Sequence, residues 1–377
     1  MPPPDHSGEH ARNPRPGRAE VWWLFLKLGF IGFGGPAAHM ALIQDECVEK
    51  RGWIARDEFL QGLAFCQMLP GPASTQLAIY SGYRIGGFAG GLLTGAAFIG
   101  PAFLILLVLT WSYFRFAAIP AVQGLFYGMS PVVLAMILVS GFRLAKPAVQ
   151  DKVLLAILAA SAVLVAFFSF NLIALFALAG VLGILLYGPR RRAASHLALV
   201  PFPLLIQLGW FFIKVGSLIF GGGYVMIPFI EREVVERLGW LSHREFLDGL
   251  ALGQMTPGPV VITATFIGYK VAGFAGACVA TGCIFLPSFV MVFVGLAYLE
   301  KIEKSPYLKA FLKTVNVAAL GAIAGALWPL YRVPLAHVFP LALAVASAIA
   351  LYRYKVSFLK LLAAGALLGW LAHAVGI

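Results

Sequence analysis

From residue 21 onward the chain alternates long apolar stretches with short polar connections. In the N-terminal part the stretches are Val21–Met40, Glu58–Tyr83 with a break at Pro70, Phe88–Phe114, Ile119–Gly141 and Val153–Gly188. The last is long enough for two short spans divided near Asn171. In the C-terminal part they are Leu204–Ile227, Glu245–Tyr269 with a break at Pro257, Phe274–Leu299, Leu308–Leu330, Pro334–Tyr352 and Phe358–Val375. A span takes about 20 apolar residues, so the pattern predicts an all-α polytopic membrane protein with about 10–12 transmembrane segments.

The two series repeat one another. A shift of 187 residues carries Lys27 to Lys214, Gly34-Gly35 to Gly221-Gly222, Glu46 to Glu233, Trp53 to Trp240, Glu58 to Glu245, Gln67 to Gln254, and Pro70-Gly71-Pro72 to Pro257-Gly258-Pro259. After the prolines the shift becomes 186, matching Gly82 to Gly268 and Gly90 to Gly276. Apolar composition alone would not align glycines and charges, so the chain reads as two homologous halves. The expected organisation is a disordered cytoplasmic tail over 1–20, repeats over 21–188 and 204–377, and a basic linker over 189–203. Arg12, Arg15 and Arg18 place the tail on the cytoplasmic side.

Loop charges bear on how the halves are related. After the third stretch the first half has only Arg115, whereas the second has Lys301, Lys304, Lys309 and Lys313. After the fourth the bias swaps, with Arg143, Lys146 and Lys152 against Arg332 alone. Equivalent loops thus favour opposite sides, the expectation for inverted repeats. Arg190, Arg191 and Arg192 in the linker run against it.

Composition agrees with the pattern: 377 residues are 60% hydrophobic and 12% charged, with mean hydropathy +0.88. The net charge of +12 lies mostly in short loops, where it reads as topology rather than nucleic-acid binding. Cys47, Cys66, Cys278 and Cys283 form no redox pair or zinc spacing and read as small buried apolar residues. No metal or cofactor is expected. An intramembrane enzyme would need chemistry the sequence lacks: no HExxH, no paired cysteines and no dinucleotide fingerprint.

Each Pro-Gly-Pro should break its helix, because proline removes a backbone donor and disfavours helix in the residue before it. With Pro72 and Pro259 at the first position of a resumed helix, the free amides behind them would face the membrane interior, where helix N-termini attract anions. Ser74 and Thr75 in one half, and Thr263 and Thr265 in the other, could add hydroxyl donors. The alternative is a proline kink absorbed by neighbouring helices. Gln67 and Gln254 would either donate amides to an oxyanion or bond the freed carbonyls. Lys27 and Lys214 lie within apolar stretches and would either meet substrate or snorkel. Glu46, Glu58, Glu233 and Glu245 are candidates for ion coupling or for ion pairs at the membrane edge. The glycines Gly34, Gly35, Gly221 and Gly222 suit close packing or unwinding. Trp53 and Trp240 suit interfacial anchors.

The order Gly-Gly, twelve residues, Val, four residues, Trp, sixteen residues, Pro-Gly-Pro occurs in both halves, at Gly34-Gly35, Val48, Trp53 and Pro70-Gly71-Pro72, and at Gly221-Gly222, Val235, Trp240 and Pro257-Gly258-Pro259. This spacing resembles the signature of the chromate ion transporter superfamily in its long, two-domain form. The resemblance implies a bacterial inner-membrane exporter of chromate, a tetrahedral dianion that mimics sulfate, conferring chromate resistance. Sulfate or another oxyanion is the alternative substrate. The expected partners are therefore an oxyanion, the bilayer and a second copy of the chain in a homodimer.

Overall fold

The structure, a computed structural model, describes residues 16–375 apart from 34, 169–171, 188–203, 220–222, 224–225, 299–304 and 333–336. The described residues are helical with short connections. The first half comprises α1 (Arg18–Ile31), α2 (Pro36–Gln44), α3 (Arg56–Met68), α4 (Ala73–Phe116), α5 (Pro120–Ala148), α6 (Lys152–Phe168) and α7 (Leu172–Tyr187). The second comprises α8 (Leu204–Ser217), α9 (Met226–Glu231), α10 (His243–Met255), α11 (Ala264–Ala297), α12 (Pro306–Arg332), α13 (Val338–Arg353) and α14 (Phe358–Ala374). The halves agree in detail. α2 and α9 each run into a single π-helical segment, Asp45–Lys50 and Arg232–Arg237, at equivalent positions.

Local chemistry sets the ends. Pro36 and Pro120 open α2 and α5, where a missing N–H costs nothing. Ser242 and Glu245 form a reciprocal capping box at the start of α10. The expected single stretch Val21–Met40 is two helices. α1 stops before Gly32, and Gly35 takes φ +81°, a conformation glycine adopts freely, before α2 begins.

α4 and α11 turn back on themselves. Gly86 and Gly87, and Ala272 and Gly273, leave helical geometry, with φ of +66° at Gly87 and +59° at Gly273. Thr94 Oγ1 donates to Ala78 O at 2.9 Å. Sixteen residues along a straight helix would separate those groups by about 24 Å. The segments either side of Gly87 are therefore antiparallel and in contact, and the pair of Thr265 and Thr281 hydroxyls, 2.7 Å apart, marks the same hairpin in the second half. Four described helical stretches are long and apolar enough to cross a membrane, Ala73–Phe116, Pro120–Ala148, Val260–Ala297 and Pro306–Gly325, and α6, α7, α8, α13 and α14 are shorter apolar helices. Leu104, Val108 and Trp111 on α4 and Leu178, Val181 and Leu185 on α7 are exposed, as lipid-facing residues are.

Packing within each half follows the repeat. A Cβ at Gly29 would lie 2.7 Å from Phe98 O and 3.0 Å from Pro101, and its counterpart Gly216 abuts Ile284 O and Pro287, so α1 on α4 repeats as α8 on α11. Between halves, Gly91 faces Phe293 and Gly95 faces Phe289. The residue number rises on α4 as it falls on α11, so these equivalent helices run antiparallel. A two-fold axis in the membrane plane gives this relation, which is the arrangement of inverted repeats.

The last three helices of each half are exchanged. α5 packs on α13 and α14 of the other half, with Gly128 against Gly365 and Gly369. Reciprocally, α12 packs on α6 and α7, with Gly183 against Ala310 and Thr314 and Gly321 against Leu158. Small residues let these backbones approach closely, as association in lipid requires.

Candidate functional site

The Pro-Gly-Pro triplets form the tips of two helical hairpins that run into the protein. α3 enters and the first segment of α4 leaves, held together by Gly62 on the ring of Tyr80 and by the Tyr80 hydroxyl donating to Glu58 O at 3.0 Å. α10 and α11 repeat this with Gly249 on Phe266. Both central glycines use conformations closed to other residues, with φ +133° at Gly71 and +111° at Gly258. Pro72 and Pro259 each sit one residue outside the resumed helix, as caps, rather than at its first position. The cause is their extended ψ, 98° and 139°.

Each tip docks on the other half. Gly71 N–H donates to Ile219 O at 2.7 Å, just past the end of α8. Gly258 N–H donates to Gly32 O at 2.9 Å, just past the end of α1. Gly32 O also receives His39 Nε2 at 2.7 Å, and since a carbonyl only accepts, Nε2 carries the proton. Gly71 further abuts Ser288 of α11, and Gly258 abuts Ala102 of α4.

The tips differ in chemistry. Around the first, Ser74, Thr75, Gln76 and Ser288 are at most 1% exposed, and Ser74 Oγ, Thr75 Oγ1, Ser288 Oγ and Gln76 Oε1 have no hydrogen-bond partner among the described residues. Gln76 Nε2 is spent on Pro70 O at 2.7 Å. Buried hydroxyls without partners are rare and costly. Here three of them gather at the N-terminus of α4, whose leading amides have no intrahelical acceptor. The second tip resumes as a 3₁₀ turn, Val260–Thr263, with apolar residues in place of Ser74 and Thr75. Thr263 is spent on Val260 O at 2.9 Å and Thr265 on Thr281.

What the second tip has is a cavity of about 320 Å³, lined by Gly32, Gly35, Ser140, Arg143, Gln254, Thr256 and Gly258 among others. Gln254 Nε2 is buried there without an acceptor among the described residues. Arg143, near the end of α5, donates to Leu351 O and places a guanidinium at the cavity. In the sequence Arg143 reads as a loop charge. Its position at the tail of a long apolar run was the signal that it could turn inward.

The remaining expected site residues are dispersed. Gln67 is exposed on α3, unlike Gln254. Lys27 is exposed and lines a separate groove with Glu20, Trp23, Phe30 and Arg51. Lys214 is half-buried on α8. Gly34, Gly221 and Gly222 lie outside the described residues. The four glutamates are ion-paired: Glu46 with Lys50 at 3.1 Å and with Arg51, Glu58 with Arg84, Glu233 with Arg237 at 3.0 Å, and Glu245 with Lys270 at 2.8 Å. Of the cysteines, Cys47 and Cys66 are buried as expected, but Cys278 is exposed on the apolar face of α11 and Cys283 is half-buried.

Two buried carboxyls carry no signal in the sequence pattern. Glu231, 1% exposed at the end of α9, stands 2.7 Å from His243 Nδ1. Burial, and then the negative charge of Glu236, push its carboxyl up to about 8. Asp248, also 1% exposed, accepts from the Tyr113 hydroxyl at 2.7 Å. In the first half their counterparts are Gln44 and Gln61, so the repeat pattern that exposed the other features concealed these.

Two interlocked repeats with paired hairpin tips, unpartnered donors at both tips and lipid-facing apolar helices define a multi-pass membrane transporter of the broken-helix kind. A chromate transporter family model matches the chain twice, over residues 19–184 and 206–370, and the chain belongs to that family. It is similar to the chromate transport protein of Cupriavidus metallidurans, 36% identical over 93% of this chain and 92% of that protein. It is also similar to a probable chromate transport protein of Synechococcus elongatus, 37% identical over 82% of this chain and 83% of that protein. A chromate transport protein of Pseudomonas aeruginosa is 31% identical over 93% of this chain and 92% of that protein. No solved structure matches the chain.

Proposed function

We propose that this protein exports chromate from the cytoplasm across a bacterial inner membrane and so confers chromate resistance. The observation that carries the reading is the set of unpartnered donors at the two tips: Gln254 Nε2 beside Arg143 in the cavity, and the Ser74, Thr75 and Ser288 hydroxyls at the first tip. Guanidinium, amide N–H and hydroxyl groups meeting a helix N-terminus suit a compact dianion whose every oxygen accepts. In this reading the cavity takes the anion from water, Arg143 supplies the charge that offsets dehydration, and the buried hydroxyls receive it as the hairpins move.

The same donors serve sulfate, a tetrahedral dianion of the same charge. Everted and right-side-out vesicles loaded by dilution test both points at once. Export predicts that everted vesicles accumulate labelled chromate, that right-side-out vesicles do not, and that excess sulfate competes. Accumulation of sulfate without chromate would replace the substrate, and accumulation only in right-side-out vesicles would reverse the direction.

A further inference from the structure

We propose that Asp248 is the proton-binding group that couples oxyanion movement to protons. The proposal rests on the transport reading above and adds to it a residue that does not touch the oxyanion. Asp248 is 1% exposed, in the middle of α10, among Phe246, Leu247, Leu250 and Ala251, all of them buried. A carboxylate in a membrane-embedded bundle is expensive unless its charge is matched, and intramembrane acids mark ion pathways. Among the described residues no cation forms an ion pair with this one. Tyr113 donates to Oδ2 at 2.7 Å, whereas Oδ1 is buried with no hydrogen-bond partner among the described residues. The other groups that act on it are Arg244 and Glu245 on α10 itself and the hydroxyl of Ser130 on α5. Glu245 is engaged by Lys270 of α11, and Ser130 donates to Phe126 O at 2.9 Å. Oδ1 is thus an open proton site: neutral, the acid needs one acceptor, and ionised, it is left short of a donor.

Position makes the proton consequential. Asp248 joins the halves, since Tyr113 belongs to α4 of the first and Asp248 to α10 of the second. Six residues further along α10 is Gln254, whose free amide lines the cavity. Helix rise puts the two about 9 Å apart on one rigid segment. A proton taken from water on one side neutralises the carboxylate and lets α10 sit in its apolar surroundings. Its return to water on the other side restores the charge and favours a position nearer solvent. No bond other than O–H forms or breaks. The symmetry-related positions are Gln61 in the first half, in place of Asp248, and Leu299 in the second, in place of Tyr113, so the chain carries this device once.

The test uses the full chain in proteoliposomes with an internal pH dye, comparing wild type with Asp248→Asn and Tyr113→Phe. Chromate counterflow, which needs no net proton movement, reports the oxyanion site, and chromate-dependent proton flux reports coupling. Asp248→Asn is expected to keep counterflow within about twofold and to lose proton flux and the response to an imposed pH gradient. Tyr113→Phe removes a donor to the ionised form and is expected to move the pH midpoint of net transport upward by about one unit. Protonation of chromate itself is common to all three proteins and cancels in the comparison. Proton flux retained in Asp248→Asn overturns the proposal, as does loss of counterflow together with flux, which would mark a structural role. If Asp248→Asn does not fold, an unmoved midpoint in Tyr113→Phe overturns it. Absence of counterflow in the wild type would instead overturn the transport reading.

Discussion

The amide of Gly71 and the carbonyl of Ile219 lie 2.7 Å apart, and the same bond recurs between Gly258 and Gly32 at 2.9 Å. Each pair joins a Pro-Gly-Pro tip of one half to the loosened helix end of the other. The shift of 187 that aligns the repeats carries one bond onto the other.

These glycines cannot be replaced cheaply. Gly71→Ala would strain a backbone at φ +133° and drive a methyl into Gln76 and, at 2.7 Å, the Ser288 hydroxyl; Gly258→Ala would meet Ala102 at 2.8 Å. Each should cost roughly 1–3 kcal/mol of stability, visible as a lower melting temperature in detergent. Transport should fall further in Gly71→Ala, where the polar groups are displaced.

The hydroxyls at the first tip should separate function from stability. Because Ser74 Oγ and Ser288 Oγ are buried without partners, Ser74→Ala and Ser288→Ala remove a penalty rather than a bond. Melting temperatures should stay level or rise. Apparent chromate affinity in vesicles should weaken about 10- to 100-fold, the worth of a hydrogen bond to a charged ligand. Lower stability with unchanged affinity would assign the hydroxyls to packing.

The two glutamines should not behave alike. Gln254→Ala removes a buried amide from the cavity and is expected to depress transport, whereas Gln67→Ala alters an exposed position and should leave it near wild type. Arg143→Lys keeps the charge but loses the planar fork, and should raise the chromate concentration for half-maximal transport without loss of protein from the membrane.

Glu231 predicts how stability depends on pH. Its carboxyl stays protonated in the folded protein to about 8, against an ordinary 4.5. An acid raised on folding stabilises fully below its unfolded value and loses that contribution as pH rises through the folded one. The melting temperature should therefore decline between about pH 4.5 and pH 8 and level off above that. Glu231→Gln should flatten that decline, as measured by thermal unfolding in detergent.

Periodicity and self-alignment made much of this fold readable. The breaks at both Pro-Gly-Pro triplets and the boundary between Tyr83 and Phe88 where α4 reverses are local events written in glycine and proline, whereas the division expected near Asn171 lies outside the described residues. The split of Val21–Met40 into α1 and α2 was not legible, because hydropathy continues unbroken across Gly32 and only the docking of Gly258 requires the gap. The site was legible only where the repeat showed it. Lys27 and Lys214 match each other but do not share a pocket, since the cavity forms where unlike parts of the halves meet. Arg143, Ser288 and Asp248 have Pro329, Ala102 and Gln61 as counterparts, so comparing the halves draws the eye away from them.

The exchange of closing helices sets what can move as a body. Because α5 is sheathed by α13 and α14, and α12 by α6 and α7, neither repeat is a mechanical unit. A half displaced alone would tear its own fifth helix from the sleeve the other provides. The parts free to shift are the paired hairpins inside that frame, so the gene's duplication boundary and the machine's moving boundary do not coincide.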